Sequence, residues 1–298
     1  MLESLRPNPT YPNYPPYHTG KYLEEYFFDY YERNKDRFDK LERKYIPVYW
    51  TNCYNNGMLP GWGEKVNMLQ MQVQLNTIDP NGSYFTVCQH DDAPMHSIPY
   101  NTVIFSAGGR VKTRMTVPTP LICGRIPNQT KRTKKYLASF VGSNTPEGGN
   151  PIRQKMIDAM DGKTGVKINA EGWNMDVSDD RLTDFIETSL ESKFVLCPRG
   201  YGPSSFRLYE AMQLDAVPVY VSDDLWLPWQ HEVNWEKISV LVSDAPGEIN
   251  SLYERLQAIT EDEYDTMKSK LKEVYEKYFT LEGTCENILK MLESERKL

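Results

Sequence analysis

The amino-acid sequence predicts an α/β protein built from two successive units, each a largely parallel sheet covered by helices. Short runs rich in β-branched and aromatic residues alternate with amphipathic helical segments, and a basic, polar stretch at residues 125–136 divides this alternation into two series. Alternation favours parallel sheets, because parallel strands need a crossover that a helix usually supplies. We therefore expect domains over residues 1–130 and 131–262, followed by terminal helices over 263–298.

The first half of the chain opens with a proline-rich stretch, residues 1–16, which we expect to lie extended over the surface. Helical apolar spacing then predicts helices over residues 20–38 and 63–78. The predicted strands of this half are YIPVYWT (45–51), YFTVCQH (84–90), NTVIFSAG (101–108) and TPLICG (119–124).

The second half repeats the alternation and ends in charged amphipathic helices. The predicted strands span residues 135–142, 165–170, 193–198, 217–223 and 237–244. The predicted helices span residues 151–160, 179–192, 204–215, 246–259, 261–278 and about 284–295.

Composition limits the classes of function. The formal net charge of -7 and the pI of about 5.3 disfavour a nucleic-acid binder that works by neutralising the backbone. The five cysteines are scattered and contain no C-x-x-C pair, so we expect reduced thiols rather than a disulfide framework or a zinc site. The sequence has no apolar run long enough for a transmembrane segment and no signal peptide at its start, so we expect a soluble, cytoplasmic protein (host cytoplasm if viral).

The stretch KFVLCPRGYGPSSFRLYE (193–210) is typical of an anion-binding loop between a strand and a helix. Gly200 and Gly202 let the backbone approach a ligand closely. Either Ser204 or Ser205 can cap the following helix, whose free N–H groups and positive dipole end attract an anion. In open α/β sheets, ligands bind beyond the carboxyl ends of the strands, which is where this loop is predicted to lie.

Three arginines suit a phosphate at this edge. Arg207 lies in the first helical turn, where a cation opposes the helix dipole unless an anion is bound. Arg199 precedes the glycines, and Arg153 occupies the matching first turn after the preceding strand–loop unit, where Asn150 and Pro151 read as N-cap and first helical residue. A matched pair favours a diphosphate, whereas each arginine alone could be an ordinary surface residue.

Glu210, one turn after Arg207, has two interpretations. Its carboxylate can address ribose hydroxyls, as acidic residues do in dinucleotide folds, or it can form an i, i+3 ion pair with Arg207. The loop lacks the G-x-G-x-x-G spacing and the G-K-[ST] ending, which argues against hydride transfer and against ATP cleavage.

The stretch FVLCPRGYGPSSFRLYEAMQLDAVPVYVSDDLWLPW resembles the donor-site signature of the exostosin family of glycosyltransferases. YLASFVGS with Arg153 is similar to the elements that open the same domain, and FTVCQHDDAP is similar to the His-Asp loop of the family. The resemblance is specific over residues about 135–230 and weaker in the first half. One departure is Asp215, where the family usually has glycine at the helix end.

The resemblance implies a GT-B architecture with two Rossmann-like domains, in which residues 1–130 bind the acceptor and residues 131–262 bind the donor. It also implies that the terminal helices cross back to the first domain. The implied reaction is an inverting transfer, with xylose as the best estimate of the sugar, from a UDP-sugar to a hydroxyl of a glycan or glycoprotein. Retaining transfer, or a catalytically silent nucleotide- or glycan-binding protein of the same fold, are the alternatives. The implied donor-binding residues are Ser143, Arg153, Arg199, Gly200, Gly202, Ser204, Ser205, Arg207, Glu210 and Asp223.

An inverting transfer needs a base for the acceptor hydroxyl. The stretch QHDDAPMH (89–96) follows a predicted strand, and we expect the base to be Asp91 or Asp92, with His90 as the next candidate. The same composition is also that of an ordinary turn. Because arginines neutralise the leaving diphosphate in this scheme, we predict metal-independent catalysis, with no cofactor besides the UDP-sugar substrate.

Overall fold

A computed structural model describes residues 2–7, 22–55, 65–122, 124–126, 130–144, 151–173 and 177–295. The described chain forms two compact units: residues 2–124 together with 277–295, and residues 125–276. Each unit contains one sheet in which all paired strands are parallel, which confirms the predicted α/β fold class. Most of the predicted extended tail, and the predicted N-cap Asn150, lie outside the described residues.

The first unit has a four-stranded sheet in the order β1-β2-β3-β4. Its strands are β1 (Lys44–Tyr45), β2 (Tyr84–Cys88), β3 (Thr102–Ser106) and β4 (Thr116–Pro118). Its helices are α1 (Leu23–Arg33), α2 (Lys35–Phe38), α3 (Trp50–Asn55), α4 (Met68–Leu75) and α10 (Leu281–Ser294). Strands β2 and β3 are buried at every position, as expected for central strands of a sheet covered by helices.

The predicted strand over residues 45–51 is largely wrong. Ladder pairing with β2 covers only Lys44 and Tyr45, and one further backbone hydrogen bond joins Ile46 to Phe85. Pro47 follows, and proline has no N–H with which to continue a ladder. The aromatic residues Tyr49 and Trp50, which favoured a strand in the prediction, instead lead into α3, where Trp50 is fully buried.

The predicted strand over residues 119–124 is also wrong in position. The strand of this region, β4, ends at Pro118, and Thr119 adds a single backbone bond to Ser106. Likewise, the strand predicted over residues 237–244 is reduced to β9 (Val240–Val242), because a 3₁₀ turn occupies Trp235–Lys237. Both stretches are rich in β-branched residues, and tertiary context decided how much of each pairs.

The second unit has a five-stranded sheet in the order β6-β5-β7-β8-β9. Its other strands are β5 (Tyr136–Ser143), β6 (Val166–Glu171), β7 (Ser192–Pro198) and β8 (Val217–Val221). Its helices are α5 (Ile152–Met160), α6 (Asp179–Leu190), α7 (Phe206–Gln213) and α8 (Leu252–Ala258), and α9 (Glu261–Tyr278) leads back to the first unit. Helices α5 and α8 share one core with the sheet, while residues of α6 pack in a second core with Val141 of β5.

The end of α7 explains how the chain accommodates Asp215. The N–H of Ala216 donates to the carbonyl of Ala211 at 3.2 Å, and Asp215 between helix and strand has φ of 56°. This is a Schellman-type end, whose left-handed position is usually glycine. The carboxylate of Asp215 accepts a hydrogen bond from Lys268 at 2.8 Å and lies 3.8 Å from the ammonium group of Lys134. Two cations therefore pair with the aspartate that replaces the usual glycine.

Candidate functional site

The strand order of the second unit has a switch point between β5 and β7. Strand β5 is first in the chain and its successors lie on opposite sides of it, which is the topology that opens a ligand crevice at the carboxyl edge. The ladder between β5 and β7 ends at Ser139 and Val195, while β5 continues to Ser143 and β7 to Pro198. The two strand ends therefore separate where a ligand would enter.

Arg153 joins the two separated strand ends. Its Nη1 donates to the carbonyl of Ser143 at 2.9 Å, and its Nε donates to the carbonyl of Arg199 at 2.8 Å. Arg153 is the second residue of α5, and Pro151 is the N-cap residue rather than the first helical residue as predicted. The side chain from the helix start thus lies at the crevice mouth, in the position that the sequence indicated.

Arg207 approaches the same strand from the start of α7. Its Nη1 donates to the carbonyl of Val141, two residues before Ser143, so both arginines contact the carboxyl end of β5. The guanidinium stacks over Phe185, with 4.4 Å from Cζ to the ring centroid, and lies 5.5 Å from the ring of Phe140. These contacts orient the planar group, since aromatic faces attract cations.

Glu210 forms the ion pair that was one of its two interpretations. Its Oε2 lies 3.9 Å from Nε of Arg207, and only 9% of the residue is exposed. Burial raises the pKa of Glu210, and the positive charge of Arg207 opposes that increase. This ion pair is compatible with the ribose interpretation. Oε2 of Glu210 faces Arg207, so Oε1 can still accept a hydrogen bond from a hydroxyl.

Arg199 is engaged within its own loop. Its Nη1 donates to Asp223 at 2.6 Å, and its Nε and Nη2 donate to the carbonyls of Gly200, Tyr201 and Gly202 at 2.8 to 3.3 Å. Arg199 therefore holds the backbone of the loop over residues 200–202 and fixes the side chain of Asp223 beside it. The carboxylate of Asp223 balances the charge of Arg199.

The two serines differ from the predicted caps. Ser205 holds the N-cap position of α7, but its hydroxyl makes no capping bond within the described chain. The hydroxyl of Ser204 is buried and has no hydrogen-bond partner among the residues that the structure describes. A buried hydroxyl without a partner is costly unless a ligand or water completes it, which makes Ser204 a natural contact for an anion at this helix start.

The His-Asp loop follows β2 in the first unit. Asp92 forms an ion pair with Arg110 at 3.2 Å, and the carbonyl of Asp91 accepts the N–H of Arg110 at 3.1 Å. Arg110 lies in the loop after β3, so the loops that follow these two adjacent strands are joined. The sequence reasoning did not find Arg110. Its signal was the glycine pair Gly108–Gly109 before it, typical of a tight backbone approach.

The surroundings of the His90 ring favour its neutral form. Burial lowers its pKa, and the negative charge of Asp92 only partly opposes this. The Nδ1 atom accepts the N–H of Asp92 at 3.1 Å, so the ring proton of the neutral form is on Nε2. Tyr54 packs edge-on against the ring with centroids 5.3 Å apart, and its hydroxyl contacts Nδ1 of His96 at 2.9 Å.

A fully buried carboxylate lies beneath this loop. Glu24 of α1 accepts the N–H of Gln89 at 2.7 Å and the N–H of Thr51 at 2.8 Å. Burial, followed by the neighbouring charge of Glu25, raises the pKa of Glu24 to about 8. The sequence reasoning did not single out Glu24, and an acidic pair in a first helical turn gave no signal beyond ordinary helix-start composition.

The described residues offer neither a metal-binding cluster nor a membrane-spanning helix. They contain no group of three or more His, Cys, Asp or Glu side chains placed to hold a metal ion. Cys53, Cys88, Cys197 and Cys285 are free and buried. None of the described helices combines the length and apolar character needed to cross a bilayer.

The chain is thus a protein of two parallel α/β units, one of which brings two arginines to the end of β5 at the switch point of its sheet. Residues 79–259, more than half of the chain, match the family model of the Exostosin GT47 domain. The chain belongs to the exostosin GT47 family, as the sequence resemblance predicted.

Several plant glycosyltransferases and one solved structure are similar to parts of this chain. A probable β-1,4-xylosyltransferase of Arabidopsis thaliana is 39% identical over 102 residues, or 34% of this chain and 23% of the relative. A probable glucuronosyltransferase of Oryza sativa subsp. japonica is 33% identical over 102 residues, which are again 34% of this chain and 23% of the relative. The matched stretch thus spans about a quarter of these relatives. The crystal structure of TarM gives a TM-score of 0.42 at 13% identity, covering 76% of this chain and 58% of that chain.

Proposed function

We propose that this protein is an inverting glycosyltransferase that moves a sugar from a UDP-sugar to a hydroxyl of a glycan or glycoprotein acceptor. Membership of the exostosin GT47 family supports the class of reaction. The observation that carries the proposal is the convergence of Arg153 and Arg207 on the carboxyl end of β5, at the switch point of the sheet.

The paired arginines suit the diphosphate of the donor. Negative charge develops on the leaving UDP as the glycosidic bond breaks, and fixed cations aimed at that charge stabilise the transition state. Arg153 and Arg207, the positive dipole end at the start of α7 and the hydroxyl of Ser204 supply such groups. Ser143, Arg199, Gly200, Gly202 and Ser205 shape the same edge, and Glu210 and Asp223 would address donor hydroxyls.

The base would come from the His-Asp loop of the first unit. His90 is the weakest of the three candidates, because Nδ1 already accepts the N–H of Asp92 and Nε2 carries the proton. Asp91 and Asp92 remain, and the ion pair with Arg110 would orient the carboxylate of Asp92. Loss of turnover in Asp91→Asn or Asp92→Asn, with UDP binding retained, would identify the base.

Xylose is the first sugar to test. The Arabidopsis relative is named a probable β-1,4-xylosyltransferase. The rice relative is named a probable glucuronosyltransferase, which makes UDP-glucuronic acid the second donor to test.

The decisive experiment is a panel of UDP- and GDP-sugars screened by thermal shift and then by turnover. A ligand at about 100 times its dissociation constant stabilises the folded state by about 2.7 kcal/mol. Binding without turnover of any donor would favour a catalytically silent member of the fold. A product that keeps the anomeric configuration of the donor, read by NMR, would favour a retaining transferase. Full activity in EDTA would support metal independence.

A further inference from the structure

We propose that Glu24 is a positioning residue for the transfer reaction, holding the backbone of the His-Asp loop and the aromatic wall of His90 in the orientation that the acceptor requires. This inference rests on the proposed function for its catalytic consequence. Glu24 is fully buried, so it cannot touch a substrate itself. It can act only through the groups that it binds.

The first of these groups is the backbone at the root of the loop. Oε1 of Glu24 accepts the N–H of Gln89, the residue directly before His90, at 2.7 Å. In return, the side-chain oxygen of Gln89 accepts the N–H of Leu23, the first residue of α1, at 2.9 Å. This reciprocal pair fixes the start of α1 to the end of β2. The direction in which the chain leaves β2 toward His90, Asp91 and Asp92 is thereby set.

The second group is the start of α3. Oε2 of Glu24 accepts the N–H of Thr51 at 2.8 Å, and Oε1 accepts its hydroxyl at 3.0 Å. Helix α3 carries Tyr54, which packs against the ring of His90 and whose hydroxyl accepts the N–H of Met95 at 2.9 Å. One carboxylate therefore links the beginning of the loop to the side chain that closes over it.

Three donors converge on Glu24, and this pattern requires an acceptor at both oxygens. A glutamine at this position has one carbonyl oxygen, so its amide nitrogen would face an N–H or O–H donor. The substitution Glu24→Gln preserves the volume of the side chain but breaks either the link to Gln89 or the link to Thr51. It therefore tests the hydrogen bonds without changing the packing, whereas an alanine would also leave a cavity.

The surroundings of Glu24 contain acids and weak acids. Its own helix supplies Glu25, and the adjacent strands and α3 supply Tyr45, Cys88 and Cys53, with Tyr49 next to α3. The positive charge of Arg6 acts on Tyr49, where it opposes the increase in pKa that burial causes. Burial and then the charge of Glu25 disfavour the ionisation of Glu24, and its three hydrogen bonds favour it. Its charge state is therefore expected to change near the pH at which such an enzyme works.

The test compares Glu24→Gln with the matched control Glu25→Gln. Glu25 is also buried, but its carboxylate accepts the N–H of Tyr22 and the side chain of Asn52 rather than the root of the loop. We expect Glu24→Gln to lower kcat between about 10- and 100-fold, the range for small misplacements of reacting groups. The donor KM and the affinity for UDP should stay within about twofold, because the donor residues belong to the other unit.

Two further readouts separate positioning from general damage. The rise of kcat with pH through the ionisation of Glu24 should disappear in Glu24→Gln. It should persist in Glu25→Gln but move to lower pH, because the charge of Glu25 raises the pKa of Glu24. The ring signals of His90, followed by NMR, should titrate below the usual range in the wild type and move back toward it in Glu24→Gln as burial is lost. Thr51→Val, which removes the hydroxyl link alone, should give a smaller change in the same direction if Glu24→Gln folds poorly.

Unchanged kcat, an unchanged titration of His90, or equal losses in both glutamine variants would overturn the inference. A wild type that turns over no donor would instead sink the proposed function. In that case the titration of His90 still decides whether Glu24 positions the loop.

Discussion

Gly142 has no side chain where Nη1 of Arg207 lies. A Cβ atom built on Gly142 would fall 2.7 Å from that nitrogen, closer than real Cβ contacts allow. Glycine weakens a strand unless another group approaches closely, and here the approaching group is the guanidinium that donates to the neighbouring carbonyl of Val141. The backbone of β5 therefore makes room for Arg207 at the crevice.

Gly142→Ala should reduce the affinity for UDP while leaving the fold intact. The clashing atom is the far end of a flexible side chain, so the guanidinium should move rather than the strand. Loss of one charge-assisted contact costs about 1.5–3 kcal/mol, or roughly a 10- to 100-fold higher dissociation constant in calorimetry. Gly172→Ala, at the end of β6 with no atom within 4 Å of the new Cβ, is the control. Equal affinities in both variants would contradict a role for Arg207 in donor binding.

Arg153→Lys should also weaken donor binding, although it keeps the charge. A lysine cannot span the carbonyls of Ser143 and Arg199 with two N–H groups in one plane. We expect the donor KM to rise about tenfold, since one bridging bond and its geometry are lost. Arg255→Lys is the matched control, because Arg255 also joins a carbonyl, that of Leu241, and a carboxylate, that of Glu248. A KM that rises equally in both would point to general loosening of the unit.

The approach of Arg153 and Arg207 to one strand end could be expected from the sequence for a simple reason. Arg153 and Arg207 occupy matching helix starts, and the carboxyl ends of parallel strands meet at one edge of a sheet. The role of Glu24 could not be predicted, because its partners Thr51 and Gln89 are 27 and 65 residues away along the chain. Only the tertiary fold brings them together.

The contribution of Glu24 to the stability of the protein should fall as the pH is raised from about 4.5 to about 8. The pKa of Glu24 is raised from 4.5 to about 8 in the folded state, so the folded chain binds a proton that the unfolded chain has lost. Each pH unit inside this window costs up to about 1.4 kcal/mol. Glu24→Gln should flatten this dependence in urea denaturation measured at several pH values. A variant curve that stays parallel to that of the wild type would contradict it.

Asp215→Asn should destabilise the second unit by about 1 kcal/mol. Asparagine tolerates the left-handed backbone at least as well, so the substitution removes only the charge that faces Lys134 and Lys268. Burial already lowers the pKa of Lys134 to about 8, and loss of the Asp215 charge, which opposes that decrease, should lower it further. The free energy of unfolding at pH 7 measures the loss, and Asp244→Asn in an exposed bend is the control. No difference between the two variants would show that the cations do not offset the missing glycine.

Arg37→Ala should loosen α10 from the first unit. The guanidinium donates to Glu286 at 2.9 and 3.2 Å and to Glu293 at 3.0 Å twice, which joins α2 to two turns of the terminal helix. The hydrogen bond from Arg37 is the main cause of the lowered pKa of Glu286, so this contribution is present above pH 4.5 and is lost as the pH falls through the lowered value. We expect a loss of about 1 kcal/mol at pH 7, since the network is partly exposed, and a smaller loss at pH 3.

Lys35→Ala on the same helix tests this expectation, because Lys35 pairs with the exposed Asp39 at 3.5 Å and should contribute almost nothing. Hydrogen exchange of the amides of α10 localises the effect, since a helix held by fewer contacts opens more often than the sheet beneath it. Faster exchange confined to α10 in Arg37→Ala, and unchanged exchange in Lys35→Ala, is the expected result. Equal protection of α10 in both variants would mean that its apolar face, with the buried Ile288, Leu289 and Leu292, is sufficient to hold it.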